Sequence, residues 1–92
     1  QSTTAVLLAN TRMERLAGSS FDDLLALGTV RESGPEITGA DGSPLNDESL
    51  ADYTLTVASQ AAAIDSGSFC VVTVTVTDPD GRTITLARLF TP

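Results

Sequence analysis

From Phe69 to Thr77 the sequence alternates. Cys70, Val72, Val74 and Val76 share one face of an extended chain, and Thr73, Thr75 and Thr77 share the other. Asp78-Pro79-Asp80-Gly81 follows as a turn, with Pro at its second position and Gly at its last. Arg82 to Phe90 then returns, with Ile84 and Leu86 on one face and Thr83, Thr85 and Ala87 on the other. Two β-branched runs about a Pro-Asp-Gly turn predict an antiparallel hairpin. A hairpin of this kind has an apolar face that it cannot bury by itself. The rest of a 92-residue chain must therefore supply a cover for that face.

The first seventeen residues offer the cover. Thr4 to Ala17 contains neither Gly nor Pro, and Ala5, Leu8, Ala9, Met13, Leu16 and Ala17 fall at the spacing of one helix face. Asn10, Thr11, Arg12, Glu14 and Arg15 populate the other side, while Val6 and Leu7 lie off the stripe. Gly18 is placed to end the helix in the left-handed conformation. Ser19 to Gly28 reads as a second, short helix. Either Ser19 or Ser20 can cap it, since an Asp follows each three residues later. Gly28 is its stop.

The middle is punctuated by Gly34-Pro35, Gly39, Asp41-Gly42 and Pro44 and reads as loop. One short hairpin is suggested there, with Glu36-Ile37-Thr38 pairing across Asp41-Gly42. Tyr53 to Val57 alternates as a strand, and Ala58 to Asp65 reads either as a connecting loop or as a helical turn. The predicted class is α+β, a single domain over 1–92. A long N-terminal helix (1–17) packs on a three- to four-stranded antiparallel sheet (53–92), with an irregular αβ region (18–52) between them. Leu8, Leu16, Leu55, Val72, Val74, Ile84 and Leu86 are the expected core.

Composition narrows the function. Twelve acidic residues against five basic ones give a net charge of −7. That opposes nucleic-acid binding, which needs a basic face, and electrostatic docking on an anionic membrane. All five basic residues are Arg, and His is absent. The chain therefore lacks the commonest general base and metal ligand. Its one Cys, Cys70, closes no internal disulfide and reads as a small buried hydrophobe.

Two acidic motifs deserve weighing. Asp78-Pro79-Asp80-Gly81 resembles the start of a Ca²⁺ loop, but Arg82, Thr83, Ile84 and Thr85 follow and supply no closing carboxylate. Asp41, Asp47, Glu48 and Asp52 could gather round a cation, yet in so acidic a chain they read as a solvated loop. No nucleophile stands beside a base. The sequence thus predicts no catalytic residue, no cofactor and no metal site.

The two ends of the chain resemble a known family. Leu8-Ala9-Asn10-Thr11-Arg12-Met13-Glu14-Arg15-Leu16 is similar to the outer half of the helix in type IV minor pilins and type II secretion pseudopilins. In that family a Leu-Ala pair is followed by polar residues and a hydrophobe-Glu-x-Leu run. Val72-Thr73-Val74-Thr75-Val76-Thr77-Asp78-Pro79-Asp80-Gly81-Arg82 is similar to its closing hairpin, with Val76 where the family commonly carries Trp. The resemblance implies a structural filament subunit that breaks no bond. Its partners would be other pilin or pseudopilin subunits, and it would sit in the inner membrane before assembly, through a helix half outside this sequence. Its place would be the periplasm or bacterial cell surface. Val6, Leu7, Arg12, Glu14 and Arg15 are the expected assembly surface. The competing expectation is a free-standing extracellular binding or adhesion module of a larger secreted protein.

Overall fold

The computed structural model describes residues 3–65 and 67–92; Gln1 and Ser2, at the start of the predicted helical region, and Ser66 lie outside them. Two α-helices, α1 (Thr3–Ala17) and α2 (Phe21–Ala26), precede four strands. These are β1 (Thr29–Ser33), β2 (Thr54–Ile64), β3 (Gly67–Thr77) and β4 (Thr83–Phe90). The strands form one antiparallel sheet in the order β1-β2-β3-β4, a simple meander. The class is therefore α+β, a helix laid on a four-stranded antiparallel sheet. The helix is short rather than long: its 15 residues span about 22 Å, at 1.5 Å per residue.

The hairpin of β3 and β4 forms as the alternation requires, with Val76 opposite Ile84 and Val74 opposite Leu86. Its turn is closed by the Gly81 amide donating to Asp78 O (3.0 Å) and the Asp78 amide donating to Arg82 O (2.9 Å). Gly81 sits at φ +81°, a conformation that only glycine adopts without strain. The Asp78 carboxylate accepts the amides of Asp80 and Arg82, each at 2.9 Å, and is buried by the turn it organises.

One sheet face carries the core. Leu55 and Val57 of β2 meet Val76 and Val74 of β3, and all four are at most 1 % exposed. Helix α1 crosses this face over β3 and β4, and α2 covers β2 and β3. Ala5, Ala9, Met13 and Leu16 bury from α1 and Leu24 from α2, while Ile37 and Leu50 close the end of the core. Cys70 is fully buried there as a free thiol. Leu16, Leu55, Val72 and Val74 are buried as expected. Leu8, Ile84 and Leu86 are only half-buried, because they lie at the rim against β4, which has no strand beyond it.

Several local expectations are corrected. Gly18 does not take a positive φ. Helix α1 ends instead by tightening, its last carbonyls accepting the amides of Gly18 and Ser19. Helix α2 is capped by Ser20, whose hydroxyl accepts the Asp23 amide at 3.2 Å, and Gly28 follows it at φ +60°. Ala58 to Ile64 is neither loop nor helical turn. It continues β2, because every residue from Ala58 to Ile64 finds a partner in the segment Gly67–Thr73 and cross-strand pairing overrides the weak local propensity of alanine. The suggested hairpin across Asp41-Gly42 contracts to one bridge, Thr38 with Pro44. Strand β1 emerges from the stretch that reads as loop, and its Val30 and Glu32 face the core beside Val57 and Leu55.

The register makes a direct prediction. Val74→Asp places a carboxylate at a fully buried site between helix and sheet. It should cost at least ~3 kcal/mol in denaturant unfolding or prevent folding. Thr85→Asp, on the exposed outer face, should cost no more than about 1 kcal/mol. Equal losses at both positions would mean that the β3 register is wrong.

Candidate functional site

Along α1, Ala5, Ala9, Arg12 and Leu16 recur at helical spacing, so Arg12 occupies a core position. Its side chain is only 3 % exposed. The guanidinium reaches Glu32 Oε1 at 2.5 Å and Thr38 Oγ1 at 2.6 Å. Thr38 binds the same carboxylate through its amide (2.8 Å to Oε1), and its hydroxyl donates there too. One turn further along α1, Arg15 donates to Thr38 Oγ1 at 2.9 Å and to Gly39 O at 2.7 Å. Helix α1, strand β1 and the loop after Ile37 are thereby tied at one point. No buried side-chain nitrogen or oxygen among the described residues lacks a partner.

The electrostatics follow from this arrangement. Burial pushes the Glu32 carboxyl up, but the Arg12 hydrogen bond, the Thr38 amide, the Arg12 charge and the Thr38 hydroxyl together hold it below its ordinary value. Arg15 is lowered by burial and by the nearby Arg12 charge, against the pull of Glu32 and Asp41. Every group here is turned toward another group of the protein. The cluster works as a clamp between helix, strand and loop.

The five residues expected to form an assembly surface are divided by the fold. Arg12 is buried and Arg15 half-buried, both bound to the loop, so neither belongs to a freely solvated stripe. The physical reason is the set of acceptors beneath the helix: Glu32 on the core face of β1 takes the Arg12 guanidinium, and Thr38 and Gly39 of the loop take that of Arg15. Val6 is half-buried, while Leu7 and Glu14 remain outside. Thr3, Leu7, Asn10, Glu14 and Ala17 form the outward face of α1, with Leu7 65 % exposed. The pattern was present in the sequence, since Arg12 follows Ala9 by three and precedes Leu16 by four.

A second surface has no counterpart in the sequence reading. Beside the end of the β2–β3 hairpin lies a concavity of about 360 Å³, lined by Phe21 and Leu25 of α2, Ala61 to Ala63, Ser68 and Phe69. It was hidden because Ala58 to Asp65 does not look like a strand, and only pairing with β3 brings those alanines beside α2.

The acidic motifs serve local turns. Asp47 Oδ1 accepts both the hydroxyl and the amide of Ser49, which lowers its carboxyl, and Asp41 Oδ1 accepts the Ser43 amide. Among the described residues no three His, Cys, Asp or Glu side chains are grouped to hold an ion. Among them, too, no helix is long and apolar enough to cross a membrane.

The clamp predicts a pH dependence. The Glu32 carboxyl is held below its ordinary value in the folded chain, so its stabilisation is complete once the pH is well above the range in which the unfolded carboxyl titrates. It is lost as pH falls through the lower folded value. The stability difference between wild type and Glu32→Gln should be flat from pH 5.5 to 8 (about the range of full ionisation) and shrink on acidification. At neutral pH, Arg12→Leu should cost about 3 kcal/mol by stranding the carboxylate, and adding Glu32→Leu should recover much of that loss. A difference that grows on acidification would contradict the assignment.

No family model matches this chain, and neither does any curated protein or solved structure.

Proposed function

We propose that this domain is a structural subunit of a filament, a minor subunit of a type IV pilus or of a type II secretion pseudopilus. It acts by assembling with other pilin or pseudopilin subunits at the periplasmic side or the bacterial surface, and its work involves no bond making or breaking. The observation that carries this reading is the two-sidedness of α1. One stripe is spent on its own sheet, and the opposite stripe is left uncovered. On that stripe Leu7 is 65 % exposed, within a run, Thr3 to Thr11, that holds no charged residue. The order of helix, irregular middle and closing antiparallel hairpin supports the same reading, as do the residues of the two ends. The assembly surface is the stripe through Leu7, Asn10 and Glu14, joined by Val6, rather than the arginines of the clamp.

A filament repeats one heterologous contact, so a charge placed on that surface is felt at every interface. In the full-length protein, Leu7→Glu combined with Glu14→Arg should leave the domain's melting temperature within a few degrees of wild type, as exposed positions do. It should sharply lower the fraction of subunit recovered in sheared filaments relative to total cellular protein. Normal incorporation would remove this stripe from the assembly surface. Failure of the unmodified protein to associate with any pilin would leave the secreted binding module as the better account. The sequence ahead of Gln1 discriminates as well: an apolar stretch of about 20 residues continuous with α1 favours the filament subunit, and a linker or further domain favours the module.

A further inference from the structure

We draw no further inference here: the strongest candidate, the apolar concavity of Phe21, Leu25 and Phe69 beside the half of β2 that β1 leaves unpaired, carries nothing because nothing in the structure shows what covers it.

Discussion

Strand β3 has neighbours on both sides, so its backbone is satisfied and only its faces remain to be settled. One face is Cys70, Val72, Val74 and Val76, each fully buried. Nothing in a chain of this size covers such a strip except a helix of matching length, and α1 is that helix. The short α2 then fills the corner that α1 leaves over β2. Small residues on α1, Ala5 and Ala9, let it lie close to the valines. The fold is largely the consequence of that one apolar strip.

The same closeness explains the clamp. An arginine in the buried stripe of a helix is tolerable only where a carboxylate and further acceptors meet it, because the desolvation of an unpaired guanidinium costs several kcal/mol. Glu32 on the core face of β1, with Thr38 bridging to both arginines, meets that demand. A buried pair of this kind adds little net stability over an apolar substitute, but breaking it is costly. Its consequence is specificity: α1 can take one rotation and one axial position on the sheet, with the loop after Ile37 docked against it. The face of α1 that reaches solvent is set by the same choice, so Arg12 and Arg15 determine where Leu7 and Glu14 point without belonging to the surface themselves.

What the sequence made legible follows from which residues carry period. The β3–β4 hairpin, the first helix and the start of β2 all announce themselves because apolar and polar residues alternate or recur cleanly. Strand β1 does not, since its second inward residue is Glu32 and a charge at a core position breaks the pattern until its partner is known. Arg12 hides for the same reason on the helix side: the pair is two pattern errors that correct one another. The far half of β2 is silent because Gln60-Ala61-Ala62-Ala63 has no alternation to read, and its conformation comes from β3 alone. Of the five expected surface residues, Leu7 and Glu14 are exposed, Val6 and Arg15 are half-buried, and Arg12 is buried.

The distribution of charge organises the surface as the apolar strip organises the core. Acidic side chains crowd the loops at one end of the sheet, where carboxylates such as Asp41, Asp47 and Asp78 also fold their own turns by accepting backbone amides. The first turns of α1 and the far half of β2 are left neutral. Like-charged copies repel most strongly through the acidic end, so the net charge restricts how copies can approach. The two neutral surfaces are of different kinds. The outer stripe of α1 offers side chains, whereas the far half of β2 offers backbone groups on the side that β1 leaves unpaired.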